Sequence, residues 1–216
     1  MDTRVRGGAE LGEIASLAVA PDGLAFGTFG TTWGAVNSVD IATSLATMDA
    51  GHLGEEAGFF NTVVYADGML YFMASRGVYA FDTRTGTITW RARVMKNVGT
   101  NDFRTNTSPA YWSGLVFAGF DDGCFYAFDA GKSRQERVAV KWKFETGTAI
   151  NSSPTIAAKS GTVYFGCDNG TVYAFNATTG APVWQHDLGA AVRSTPWVAG
   201  KLLFVGCNDG KVYCLK

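Results

Sequence analysis

The sequence has no surplus of either charge. Its 216 residues carry 18 basic and 19 acidic side chains, a formal net charge of -1. Without a basic excess to neutralise phosphates, nucleic acid is not an expected partner. No apolar run of about 18 residues occurs, so no membrane-spanning helix is expected. Met1 to Leu11 lacks the apolar core of a signal peptide. Histidine is limited to His52 and His186. The four cysteines, Cys124, Cys167, Cys207 and Cys214, include no adjacent pair, no CxxC and no His-paired metal spacing. They are expected as four reduced thiols and no metal site, which tilts the expected compartment toward the cytoplasm.

Charged residues are only 17%, below the usual quarter. Hydrophobic residues reach 47%, which excludes a disordered chain. Glycine is abundant at 27 residues, and aromatics make up 13%. Many glycines, many aromatics and few charges suggest short strands joined by tight turns.

The chain repeats itself. Gly161-Thr-Val-Tyr-Phe-Gly-Cys-Asp-Asn-Gly170 returns as Gly200-Lys-Leu-Leu-Phe-Val-Gly-Cys-Asn-Asp-Gly210. Earlier copies begin at Gly114, Gly68 and Gly23, each weaker than the one after it. A period of about 43 residues points to propeller blades or solenoid units. Each copy reads as four short strands; in the fourth copy these are Ser153–Ala157, Val163–Gly166, Val172–Phe175 and Val183–His186. The expected fold is therefore all-β, a five-bladed propeller of four-stranded antiparallel blades. It forms one domain over 1–216, with repeats at about 9–49, 50–94, 95–147, 148–188 and 189–216 plus 1–8. The alternating segment Thr3-Arg-Val-Arg6 would pair into the last blade and close the ring. A longer propeller cut at a repeat boundary is the alternative.

Two copies carry Ala80-Phe-Asp82-Thr-Arg-Thr-Gly86-Thr-Ile-Thr-Trp90 and Ala174-Phe-Asn176-Ala-Thr-Thr-Gly180-Ala-Pro-Val-Trp184. A third has Ala127-Phe-Asp129 and, after a charged insertion at 132–137, Trp142. The first copy departs from this, with Ser44 and Met48 where Gly and Trp belong. The pattern resembles the repeat of pyrroloquinoline-quinone (PQQ) dehydrogenases and their non-enzymatic relatives, which include a propeller of the bacterial outer-membrane assembly machinery. The resemblance covers nearly all the chain. Physically the motif reads as blade packing. Trp90, Trp142 and Trp184 would dock on a neighbouring blade. Asp82, Asp129 and Asn176 would accept turn amides, and Gly86 and Gly180 would take the turn geometry.

The resemblance implies a quinone site only for enzymes with a vicinal Cys-Cys disulfide, a stacking Trp and a calcium site. This sequence has no adjacent cysteines, so no cofactor and no PQQ-dependent activity are expected. The candidate ligand face carries the loops Ala50–Phe60 and Val94–Asn106. Asn106, Asn151 and Arg193 stand three residues before the proline of consecutive blades, so they could meet at the channel mouth with Arg104 and Asp102; Glu13 is near the matching place in the first blade. The competing reading makes them turn caps. His52 is the one plausible histidine base, and no nucleophile-elbow motif appears. Ser16, Thr62, Ser108, Ser153 and Thr195 share one position on the innermost strands, where backbone bonding is favoured over a ligand ring. The expected role is a monomeric, non-catalytic binding or scaffolding module. Its expected partner is a protein or a small polar ligand, and the alternative is an enzyme acting on a small polar substrate.

Overall fold

A computed structural model of the chain describes residues 14–19, 24–29, 35–40 and 45–49, then 62–74, 77–85, 87–93, 107–131 and 138–216. These residues form strands and turns, with no helix among them. The first sheet holds β1 (Ile14–Val19), β2 (Leu24–Phe29), β3 (Ala35–Asp40) and β4 (Leu45–Asp49). The second holds β5 (Val64–Ala66), β6 (Met69–Ala74), β7 (Gly77–Asp82) and β8 (Thr87–Arg93). The third holds β9 (Ala110–Trp112), β10 (Leu115–Gly119), β11 (Cys124–Asp129) and β12 (Val140–Glu145). The fourth holds β13 (Thr155–Ala157), β14 (Thr162–Gly166), β15 (Thr171–Asn176) and β16 (Pro182–Asp187). The last described sheet has three strands, β17 (Trp197–Ala199), β18 (Leu202–Gly206) and β19 (Val212–Leu215).

Every sheet is an antiparallel meander in chain order. The first strands of consecutive sheets are neighbours, from β1 through β5, β9 and β13 to β17. This is the stacking of a β-propeller, with first strands inside and fourth strands outside. In the fourth repeat the inner strand is two residues shorter than expected, because Ser153 and Pro154 precede it. Proline supplies no ladder donor, so it stands before the strand or, like Pro182, opens the outer one.

Tight turns follow from their residues. Gly170 and Gly210 hold φ of 91° and 85°, a backbone region that only glycine enters without strain. The side chain ahead of each turn caps it. The amide of Thr171 donates to Asn169 Oδ1 (3.0 Å), and that of Lys211 to Asp209 Oδ1 (3.1 Å). A tyrosine four residues on then reaches back. Asn169 donates to Tyr173 Oη at 2.8 Å, and Tyr213 donates to Asp209 Oδ2 at 2.7 Å.

The Lys211 ammonium and the Tyr213 hydroxyl hold the Asp209 carboxyl well below the usual carboxylate range. A depressed carboxyl contributes stability above its unfolded pKa, about 4. That contribution is lost as pH falls through the folded value. Melting curves of Asp209→Asn against the parent should therefore differ most near neutral pH, with the gap closing toward about pH 2. A gap independent of pH would refute this.

The core lies between sheets. Leu115, Phe117 and Phe125 of the third sheet meet Val163, Phe165 and Phe175 of the fourth. Phe125 and Phe165 stack with centroids 3.9 Å apart. Tyr71, Met73 and Trp90 of the second sheet meet Val116, Ala118 and Phe128 of the third. Such faces alternate along each strand, so β10 sends Val116 one way and Phe117 the other. Both of its faces are buried, which explains the unbroken apolar run Leu115–Gly119.

Candidate functional site

The repeat motif fixes how sheets join. Ala80 lies opposite Trp90, Ala127 opposite Trp142 and Ala174 opposite Trp184. Each alanine is followed by a shift of register, and its small side chain leaves room for the indole. In the first sheet Ser38 is opposite Met48 by the same register. Trp142 Nε1 donates to the carbonyl of Ala177 in the next sheet at 2.8 Å. Trp90 packs near Phe128, and Trp184 near Tyr164, at 6.3 and 5.7 Å between centroids. Asp82 Oδ1 accepts the amides of Arg84 and Thr85 at 2.8 and 3.2 Å. Asn176 Oδ1 accepts those of Thr178 and Thr179 at 3.1 and 2.9 Å. Asp129 begins the corresponding turn, its amide donating to Ala139. Gly180 has φ of +71° beneath the Trp142 ring. Gly86 lies outside the described residues.

The ends of the sheets differ. At one end the turn after the second strand meets the segment entering the next sheet. Ile150 N donates to Phe120 O, and Val192 N to Cys167 O, both at 3.0 Å. Asn151 and Arg193 follow these two amides, and the structure brings their side chains together. Asp168 lies between them. Asn151 Nδ2 donates to its Oδ2 at 2.9 Å. Arg193 grips it with two prongs, Nε to Oδ1 and Nη2 to Oδ2, both at 2.9 Å. The carboxylate is 19% exposed and the guanidinium 55%. Hydrogen bonding to Asp168, then its charge, pushes the Arg193 pKa up further.

Asp168 was not singled out in the sequence, although a signal was there. It is the second residue of Cys-Asp-Asn-Gly, matched by Asp121 and Asn208 in the neighbouring repeats. Equivalent turn residues of stacked sheets share one rim, so Asp168 belongs beside Asn151 and Arg193. Two of the five guanidinium donors are committed to this bridge between sheets. Of the other candidate ligand residues, His52, Asp102, Arg104 and Asn106 lie outside the described residues. So do the loops 50–60 and 94–106, and the segment 3–6.

The inner hydroxyls bind backbone. Ser108 Oγ accepts the amide of Thr62, and Ser153 Oγ the amide of Ser108, each at 2.8 Å. Each bond crosses from one sheet to the next. A second row, missed in the sequence, lies one residue earlier. Thr107 donates to Gly119 O at 2.9 Å, and Ser152 donates to Ser194 O at 2.7 Å while accepting the Gly166 amide at 3.0 Å. These buried hydroxyls are satisfied by sheet framework.

All four cysteines are free, with Cys167 and Cys207 buried and Cys214 exposed. Cys167 Sγ lies 3.5 Å from the carbonyl of Ala149, and Cys207 Sγ lies 3.3 Å from that of Ala190. Among the described residues no three of His, Cys, Asp and Glu gather as a metal site. With no adjacent cysteines in the sequence, the residues present do not fit the quinone-binding set that the repeat resemblance brings to mind. Among the described residues no helix is long and apolar enough to cross a membrane.

Comparison with known proteins places this geometry. The profile of the family described as outer membrane protein assembly factor BamB matches residues 53–216. The crystal structure of BamB from Moraxella catarrhalis superposes with a TM-score of 0.62 at 18% identity, covering 98% of this chain and 58% of that chain. The computationally designed Ika8 protein superposes with a TM-score of 0.52 at 17% identity, covering 93% of this chain and 70% of that one. At these identities the likeness concerns the fold. The chain spans 58% of the length of the BamB structure it matches. No curated protein matches the sequence.

Proposed function

This chain belongs to the PQQ-like repeat family described as outer membrane protein assembly factor BamB, and we propose that it works as a non-catalytic binding or scaffolding module with a protein partner. The observation that carries this is the use made of the polar rim. Asn151, Asp168 and Arg193 hold one sheet to the next, which gives a rigid end on which turns and entry loops are displayed. A rigid frame with variable loops suits recognition. The match to an assembly factor agrees with a protein partner.

The reading takes 1–216 as one propeller domain of five repeats. Five sheets in series support that count. The reading also takes the ring as closed by the segment 3–6 pairing into the last sheet, a segment outside the described residues. The second reading, a small polar ligand or substrate at the channel mouth, draws on the three guanidinium donors of Arg193 that Asp168 does not take.

Two measurements separate the readings. A photo-crosslinking residue in place of Asn208, on the rim, should capture a protein in the source cell. The same residue in place of Lys159, at the opposite end, should not. Native mass spectrometry should show chain masses alone. Extra mass that is lost on denaturation, and absent from Asn151→Ala and Arg193→Ala, would overturn the scaffold in favour of a ligand site.

A further inference from the structure

The sequence holds a single Asn-Gly pair, Asn169-Gly170. It lies in the turn between β14 and β15. Glycine puts no side chain in the way when its amide nitrogen approaches the preceding side-chain carbonyl. Attack by that nitrogen converts asparagine with loss of ammonia. In the structure both reacting groups are held. Asn169 Oδ1 accepts the Thr171 amide at 3.0 Å, and Nδ2 donates to Tyr173 Oη at 2.8 Å. Gly170 N donates to Cys167 O at 3.1 Å, and Gly170 O accepts the Leu188 amide at 2.9 Å. Asn169 is exposed to water, whereas Tyr173 is buried and stacked on Phe165. The neighbouring repeats carry aspartate at the same place. There Tyr126 donates to Asp122 Oδ2 at 3.1 Å, and Tyr213 donates to Asp209 Oδ2 at 2.7 Å.

We propose that Asn169 is a site of spontaneous deamidation, and that Tyr173 keeps it closed while the β14–β15 turn is folded. Gly170 N loses its proton and bonds to Asn169 Cγ. The Cγ–Nδ2 bond breaks, and Nδ2 leaves as ammonia with that proton. The imide so formed takes up a water. Water at Cγ opens it to aspartate, and water at the main-chain carbonyl carbon of Asn169 opens it to isoaspartate. In sum a water is consumed and an ammonia released, with nothing oxidised or reduced. To react, the side-chain amide must turn away from Thr171 and Tyr173, and Gly170 must release Cys167. The reaction therefore runs through local opening of the turn. The two products differ in effect. Aspartate is accommodated, because the tyrosine hydroxyl can donate to it as in the neighbouring repeats. Isoaspartate adds a carbon to the main chain beside Asp168, the carboxylate that Arg193 grips, and so loosens the rim. The site is independent of what binds at the rim.

The test is peptide mass spectrometry of the full chain after incubation at mildly alkaline pH, which favours the deprotonated amide. The readouts are the mass gain of an amide-to-acid change at Asn169 and enzymatic methylation of isoaspartate. Urea-unfolded protein should convert about tenfold faster than folded protein, or more. Tyr173→Phe keeps the ring and loses one hydrogen bond, so the folded variant should convert about fivefold faster than the parent. Each protein is held equally far below its own Tm, so that general loosening does not enter the ratio. Asn169→Asp should melt as the parent does. No conversion in the unfolded chain overturns the modification itself. Equal rates in folded and unfolded parent overturn the closed site. A Tyr173→Phe rate at or below the parent's overturns Tyr173 as the restraint. An Asn169→Asp protein that melts well below the parent overturns the accommodation of aspartate.

Discussion

Trp142→Ala should destabilise the protein by about 3 kcal/mol, the low end of the range for truncating a large aromatic, because the indole is partly buried against the core. For a chain of this size that is a fall in Tm on the order of 10 °C. The indole belongs to the outer strand of the third sheet and works on the fourth. Its ring packs against Phe117, Phe125 and Phe175 with centroids about 6 Å away (6.0, 5.9 and 5.9 Å). Its N–H serves the carbonyl of Ala177. Gly180 comes so close that a Cβ there would sit 2.7 Å from two ring atoms. Removing the indole opens a cavity between two sheets and leaves a carbonyl without its donor. Trp142→Phe keeps most of the volume and loses the hydrogen bond, so it should fall between, at about 1–2 kcal/mol. In an array of stacked repeats the damage is local to one interface. The melt of Trp142→Ala should therefore also broaden or divide. A Trp142→Ala protein within about 1 kcal/mol of the parent would show that the motif tryptophan does not hold the sheets together.

Gly166→Ala is expected to cost about 1–3 kcal/mol, or more. Gly166 ends β14 where the chain entering the last sheet passes over it. An added Cβ would meet Val192 Cγ1 at 2.2 Å, and its Cβ and carbonyl oxygen at 2.7 Å. Gly119 stands in the same relation to Ile150, with Cγ2 at 2.3 Å from the added atom. The cost is steric and crosses between sheets. Gly114 is the contrast: nothing lies within 4 Å of an added Cβ, but its φ is +80°. Its replacement by alanine should cost on the order of 1 kcal/mol through backbone strain alone. Val192→Ala should recover part of the loss in Gly166→Ala and none in Gly114→Ala, as read from denaturant midpoints. Equal recovery in both would refute the close approach as the cause.

Much of the fold was legible because a propeller writes its architecture locally. The phrase from Gly161 to Gly170 encodes a strand, a turn and the start of the next strand, and it returns once in each described sheet. The Ala-x-Asp-x-x-x-Gly-x-x-x-Trp spacing also carries the register of the outer strand. Ala174 lies opposite Trp184, as small residue and indole require. The inner hydroxyls were legible as backbone partners. Their second row, Thr107 and Ser152, was not, because nothing in the spacing tells that both of two adjacent hydroxyls are taken up by backbone.

The candidate site was legible by halves. Asn151 and Arg193 hold equivalent places in consecutive repeats, and that placed them on one rim. The carboxylate between them, Asp168, comes from a different turn, 25 residues before Arg193. Only the stacking of sheets brings it there, and with it the guanidinium changes from a free ligand donor into a clasp.

The sequence by itself determined the all-β class, the repeat, the turns and the packing role of the tryptophans, since each depends on residues close along the chain. Tertiary structure decided which polar residues are spent on joining sheets. Asn151 and Arg193 sit in consecutive repeats and Asp168 in a turn between them, and only the stacking of sheets brings the three side chains together. That is a relation between distant parts of the chain that no local spacing records.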